Sequence, residues 1–279
     1  MGPGPAIATA GKPGYPAGMP LRQVLATRYV TPLHEGGSLP AIVEADDEGM
    51  YVLKFRGAGQ GPKALIAEVL GGELARAAEL PVPEIVLIDL DDSLARTEPD
   101  PEIQQLIKAS TGINAALDYL PGSIMFDPVT VTPAEELASR IVWLDAFITN
   151  VDRTVRNTNM LMWHRRLQLI DHGAAFFFHH AWADNYLQRS RDLFPMIKDH
   201  VLLHFASELR AADAYMSSRL TPDTIRGIVE LVPDSWLLVD SPFTTHREHR
   251  DAYTEYLLRR LESPHTFVEE ALRARSLLV

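Results

Sequence analysis

From residue 22 onward, short β-branched and aromatic runs alternate with turn residues. Residues 24–30 and 41–45 read as strands, Asp46-Asp47-Glu48-Gly49 closes a turn, and Met50-Tyr51-Val52-Leu53-Lys54-Phe55 is a third strand of an antiparallel sheet. Pro62 then opens a helix in which Leu65, Val69, Leu70, Leu74 and Ala77 recur at helical spacing. Leu80-Pro81-Val82-Pro83 stops it, because paired prolines do not continue a helix. Residues 84–89 form a buried strand, and residues 115–120 a further one after a polar interval. In residues 133–148, Leu137, Ile141, Leu144 and Ile148 share one helical face, with Thr132 placed to cap it and Glu135-Glu136 in the first turn. A polar segment, residues 149–158, leads into a hairpin of residues 160–163 and 167–170 around His164-Arg165-Arg166. Beyond Asp192 the pattern is mainly helical, punctuated by Pro222 and Pro233. A sheet-rich first part with one helix, followed by a helix-rich second part with one hairpin, predicts an α+β protein with two lobes.

Composition narrows the function. The 279 residues are 46% apolar and 23% charged, enough for a real core, and cysteine is absent, which excludes disulfides, thiolate metal sites and a cysteine nucleophile. A formal charge of -11 argues against strong nucleic-acid binding by the chain alone, so any phosphate must be held locally. No apolar run is long enough for a membrane span and no leader pattern opens the chain, so a cytoplasmic protein is expected. Residues 1–20, with five glycines and five prolines, read as a flexible lead.

The densest polar stretch is Asn150-Val151-Asp152-Arg153-Thr154-Val155-Arg156-Asn157-Thr158-Asn159, and beyond the hairpin comes Ile170-Asp171-His172-Gly173. Asp and Asn are common in loops for local hydrogen-bonding reasons. The ordered pair of motifs points further, because carboxylates and carboxamides are the hard oxygen ligands magnesium prefers, and hairpin geometry returns Asp171 to the end where Asp152 and Asn159 sit. Lys54 is the second signal, since only five of the 26 cationic residues are lysines and this one lies inside an apolar strand. A compact ammonium there can hold phosphate as a point charge. Glu68, set in the otherwise apolar run Ala64-Leu65-Ile66-Ala67-Glu68, needs a partner and is favoured over Glu73 to pair with Lys54. Arg153 and Arg156 are candidates to neutralise phosphate, against the plainer reading of solvated loop arginines.

Strand lysine, helix glutamate, an Asp-to-Asn loop and Asp-x-Gly, in that order, match the protein-kinase-like part set. The wording of Gly36-Gly37-Ser38-Leu39-Pro40-Ala41, Tyr51-Val52-Leu53-Lys54-Phe55, Leu65-Ile66-Ala67-Glu68, Leu80-Pro81-Val82-Pro83, Asn150-Val151-Asp152-Arg153-Thr154 and Ile170-Asp171-His172-Gly173 resembles the HipA-like kinases, which share a remote fold with phosphatidylinositol 3- and 4-kinases. The resemblance implies a bilobal kinase-like fold: a small antiparallel-sheet N-lobe with one main helix (residues 21–120) and a helical C-lobe (residues 121–279). It implies that Lys54, positioned by Glu68, holds the α- and β-phosphates of ATP, that Asp152 is the catalytic aspartate, and that Asp171 coordinates Mg2+. The metal asparagine is Asn157 by family spacing or Asn159 by its place before the strand, with Asn157 slightly preferred. Gly36, Gly37 and Ser38 take the phosphate-covering turn, and Asp118, Tyr119 and Leu120 the adenine hinge. The glycine-rich stretch at residues 57–61 should lie beyond the phosphates. His172 and Arg153-Thr154 depart from the common family pattern without removing a ligand.

The reading is an ATP- and Mg2+-dependent phosphotransferase acting on a hydroxyl of a protein Ser/Thr or a small molecule. The alternatives are a pseudokinase-like ATP-binding module and a metal-dependent hydrolase built on Asp152, Asp171 and His172. His200 and His204, four apart, read as residues of an ordinary helix, and Phe176-Phe177-Phe178 as packing.

Overall fold

The computed structural model describes residues 20–33, 39–96, 98–182 and 185–278. The amino-terminal part runs β1 (Gln23–Pro32), β2 (Ala41–Ala45), β3 (Met50–Lys54), α1 (Pro62–Ala77), β4 (Ile85–Leu90), α2 (Pro101–Ala109) and β5 (Gly112–Asp118). Among the described residues these five strands close into a barrel in the order β1-β2-β3-β5-β4. The expected purely antiparallel sheet is therefore corrected: β1 pairs with β4 in parallel, with Gln23 beside Leu87, and this pair shuts the barrel. The expected single helix is corrected too. The polar interval before β5 contains α2, started by Pro101 and capped by the Asp100 side chain, which accepts from the Glu102 N–H at 2.8 Å.

The carboxy-terminal part runs β6 (Ile124–Met125), α3 (Glu135–Phe147), β7 (Met160–Trp163), β8 (Arg166–Leu169), α4 (Tyr186–Arg189), α5 (Leu209–Arg219), α6 (Pro222–Val229), α7 (His246–Leu261) and α8 (His265–Ser276). β6, β7 and β8 form a small antiparallel sheet. The hairpin turns on His164 and Arg165, both left-handed at φ 47° and 63°, as a two-residue loop between twisted strands requires. Thr132 does not cap α3. Ala134 occupies the N-cap in extended geometry, and Glu135 and Glu136 offset the unpaired amides by charge instead.

Period-two alternation divides the barrel wall between two cores. Val43, Leu53, Val86, Ile88 and Ala116 fill the barrel, whereas Ile85, Ala115 and Leu117 face outward onto the helical core. α1 belongs to that second core through Leu65, Ile66, Val69, Leu70 and Leu74, and packs against α6 and the turn at Asp234–Trp236. Trp236 Nε1 donates to Ile113 O at 2.8 Å across the same junction. Burying each such side chain contributes about 1.5–3 kcal/mol, so displacing α1 would cost far more than one ion pair returns. This packing holds the helix that carries Glu68.

Candidate active site

The site forms where β3, α1, the loop after α3 and the end of β8 meet. Lys54 is the last residue of β3, paired with Ala115 of β5, and its side chain runs out of the barrel wall towards α1. Its Nζ lies 2.6 Å from Glu68 Oε2 and 2.6 Å from Asp171 Oδ1. Glu68 is fully buried in α1. Burial alone would raise its carboxyl, but the Lys54 charge and the His172 contact bring it down to about 2. Burial likewise works against the Lys54 charge, and the facing Asp171 and Glu68 carboxylates more than reverse that, leaving the ammonium raised. The expected Lys54–Glu68 pair is present; Glu73 binds Arg76 instead, at 3.0 Å.

Asp171 follows β8 in left-handed geometry, φ 55°, which lifts its carboxylate out of the strand path towards Lys54. The Ile170 N–H donates to Asn159 O at 3.1 Å, so the segment that ends the hairpin lies against the residue that begins it. The hairpin thus brings Asp171 to Asn159, as its geometry predicts. Asp152 Oδ2 accepts from Asn157 Nδ2 at 2.7 Å and from Asn159 Nδ2 at 3.2 Å. Both carboxamides spend nitrogen on Asp152, so each turns its oxygen, the atom a metal would use, the other way. Among the described residues no group of three or more His, Cys, Asp or Glu is placed to hold a metal. Two carboxylates and a carboxamide suit a cation that takes its remaining oxygens from phosphate and water.

Beneath the loop sits a buried charged cluster that sequence reading missed. Asp145 of α3 accepts from Arg153 Nε at 2.6 Å, from His200 Nε2 at 2.9 Å and from Asn150 Nδ2 at 3.0 Å. His200 Nδ1 accepts the Leu202 N–H at 3.0 Å, which leaves the Nε2 proton for Asp145. Burial opposes charge on Asp145, yet Arg153 and the His200 bond hold its carboxyl well below the usual carboxylate range. Arg153 is only 1% exposed and also donates to the backbone oxygens of Asn159 and Ile170. It is therefore not a solvated loop cation, nor one that can reach a phosphate; it braces the loop from below. Arg156 is exposed. The signal that could have revealed the cluster is Asp145 itself, a carboxylate inside the apolar run Trp143-Leu144-Asp145-Ala146-Phe147. His200 and His204 do not share a helix, because His200 bridges to Thr154. Phe176 and Phe178 pack inside as expected, whereas Phe177 is 50% exposed.

The remaining sequence candidates separate. Gly36, Gly37 and Ser38 lie outside the described residues. Asp118 ends β5 and Tyr119 and Leu120 follow it; the Asp118 N–H donates to Glu84 O at 2.8 Å and the Tyr119 N–H to Met50 O at 2.9 Å. Those two donors are spent inside the barrel. The glycine-rich loop after β3 turns towards α2: Gly57 N donates to Ser110 Oγ at 3.0 Å, and a Cβ on Gly57 would lie 2.9 Å from Ala109 Cβ.

Comparison with solved structures finds kinases. A proinflammatory kinase, CtkA, from Helicobacter pylori superposes with a TM-score of 0.53 at 12% identity, covering 93% of this chain and 99% of that one. The Golgi casein kinase solved with Mn/ADP bound gives 0.51 at 13% identity, covering 93% of this chain and 75% of that one. At such identities the likeness concerns the α+β kinase-like fold. A comparison with curated protein sequences gives no match. The HipA-like kinase family matches residues 27–270, nearly the whole described chain, and the protein belongs to that family and is a kinase.

Proposed function

We propose that the chain transfers the γ-phosphoryl group of ATP, with Mg2+, to a hydroxyl on a protein Ser/Thr side chain. The observation that carries this reading is Lys54, held at 2.6 Å between Glu68 and Asp171 in a fold shared with kinases. Lys54 binds the α- and β-phosphates and Glu68 keeps its ammonium aimed. Asp171, 43% exposed, and Asn157 supply protein oxygens to Mg2+, which would neutralise charge on the β- and γ-phosphates. Asn157 is favoured over Asn159 because its side chain is half-exposed, while Asn159 is buried and braced from below by Arg153. Asp152 orients the acceptor hydroxyl and takes its proton. Adenine lies between the barrel and the helical part, on backbone groups of Asp118, Tyr119 and Leu120 other than the two N–H donors spent in the barrel. Gly36, Gly37 and Ser38 cover the phosphates. In this reading the N-lobe is residues 21–120 and the C-lobe residues 121–279. The similarity to the Golgi casein kinase solved with Mn/ADP bound supports both a protein acceptor and a divalent cation.

The test is Mg·ATP titration of the purified protein, followed by transfer of labelled γ-phosphate to protein acceptors. Asp152→Ala should keep nucleotide binding and lose transfer. No Mg·ATP binding to the wild type overturns the reading. Unchanged activity in Lys54→Ala would favour a metal-dependent hydrolase on Asp152, Asp171 and His172, and binding without transfer an ATP-sensing pseudokinase.

A further inference from the structure

The residue between Asp171 and Gly173 is a histidine with no exposure to solvent. Its backbone N–H donates to Glu68 Oε2 at 2.9 Å, the oxygen that Lys54 also holds. Its ring has neither nitrogen hydrogen-bonded, and Glu68 Oε1 is also buried without a partner. These unsatisfied atoms face one another, His172 Nδ1 lying 3.8 Å from Glu68 Oε1. Buried polar atoms without partners cost about 1–3 kcal/mol each, so two complementary ones this close are a contact that a small ring movement completes. The carbon edge of the ring lies on α1: a Cβ on Gly71 would be 2.7 Å from His172 Cβ and 3.3 Å from its Cδ2. Gly71 stands three residues after Glu68, on the same helix face. The absent side chain at Gly71 makes the berth for the imidazole, and the carboxylate one turn earlier receives its proton.

Resting on the assignment of Lys54 and Glu68 as the phosphate-binding pair, we propose that His172 is a positioning residue for phosphoryl transfer, donating Nδ1–H to Glu68 Oε1. Glu68 is then fixed through both oxygens: one shared by Lys54 and the His172 main chain, the other held by the His172 ring. The ring acts on ATP only through Glu68 and Lys54. A phenylalanine would fill the same berth and leave Glu68 Oε1 unsatisfied, free to rotate away from Lys54.

Three variants and a cycle test this. His172→Phe keeps ring volume without a donor, His172→Asn restores a donor near the δ position, and His172→Gln offers one nearer the ε position. Expected are a fall in kcat of about tenfold or more in His172→Phe, substantial recovery in His172→Asn and little in His172→Gln. In a Glu68→Gln background, His172→Phe should change kcat less than about twofold, because the route through Glu68 is already cut. Effects that multiply, or equal rescue by Asn and Gln, overturn the proposal. Nitrogen NMR of the ring gives a second readout that needs no activity: the Nδ1–H tautomer is expected, and the Nε2–H tautomer overturns the assignment. A wild type that binds no Mg·ATP defeats the kinase site while leaving the ring tautomer to decide this contact.

Discussion

Lys54 and Asp171, 117 positions apart in sequence, meet at 2.6 Å between Nζ and Oδ1, and the same ammonium reaches Glu68 at the same distance. One cation thus serves two carboxylates, one fully buried and one half-exposed. Removing it should have separable effects. Lys54→Met is expected to lower phosphoryl transfer by about 100-fold or more, as loss of a charged donor on a reacting phosphate does elsewhere. It also strands Glu68 as a buried charge, which costs about 3–5 kcal/mol. Adding Glu68→Gln should recover most of the lost stability and none of the activity, read by urea unfolding beside a transfer assay. Equal stability of the single and double variants would show that Glu68 is not charged in the folded protein.

The loop bearing Asp152 rests on Asp145, so stability and loop geometry share one anchor. Asp145→Ala leaves the Arg153 guanidinium buried without its carboxylate partner, and a loss of about 3–5 kcal/mol is expected in chemical denaturation. His200→Phe removes a neutral donor from a carboxylate still held by Arg153 and Asn150, so about 1–2 kcal/mol is expected. The reverse order would place the anchor on His200.

The sequence was legible wherever a local pattern and a chemical need coincided. Lys54 in an apolar strand and Glu68 in an apolar helix turn each signal a buried charge that needs a partner, and the hairpin period shows that Asp171 returns to Asn159. Parallel closure by β1 and β4 was not legible, because register between strands some sixty residues apart leaves no local mark. α2 is hard to read although Asp100-Pro101 is a helix start, since the helix is only nine residues long and its apolar stripe is confined to Ile103, Leu106 and Ile107. Arg153 was misread because burial of a loop arginine depends on Asp145 and His200, which no spacing rule joins.

Acid should unfold this protein in two stages. Burial, aided by the nearby Lys63 cation, pushes His249 down to about 4, and burial also lowers His179 and His200. Below about pH 6.5 the unfolded chain takes up protons these rings refuse, so unfolding free energy should fall as pH drops from 6.5. Glu68, depressed to about 2, adds stability that is complete above its unfolded value near 4.5 and lost on falling through about 2. Urea midpoints across pH 8 to 3 should be flat above pH 7, decline from about pH 6.5 towards pH 4, and steepen below 4.5 as the Glu68 contribution begins to be lost. His249→Phe should flatten the first decline; an unchanged slope would assign that decline elsewhere.

Asn157 and Asn159 both donate to Asp152, but their surroundings differ enough to predict different failures. Asn157 is half-exposed, and its amide is committed through Nδ2 at 2.7 Å. Asn159 is buried and left-handed at φ 48°, and its backbone oxygen receives both Arg153 and Ile170. Asn157→Ala should therefore raise the Mg2+ concentration needed for half-maximal transfer by about tenfold or more while leaving the melting temperature within a few degrees. Asn159→Ala should lower the melting temperature, because a non-glycine side chain that tolerates the left-handed region is replaced by one that does so less readily, and because buried amide bonds are lost. Below its own unfolding temperature, Asn159→Ala should keep most transfer at the wild-type Mg2+ requirement. If Asn159→Ala instead shifts the metal requirement and Asn157→Ala does not, the ligand is the residue at the strand entrance, and the five-residue spacing after Asp152 does not mark the metal site.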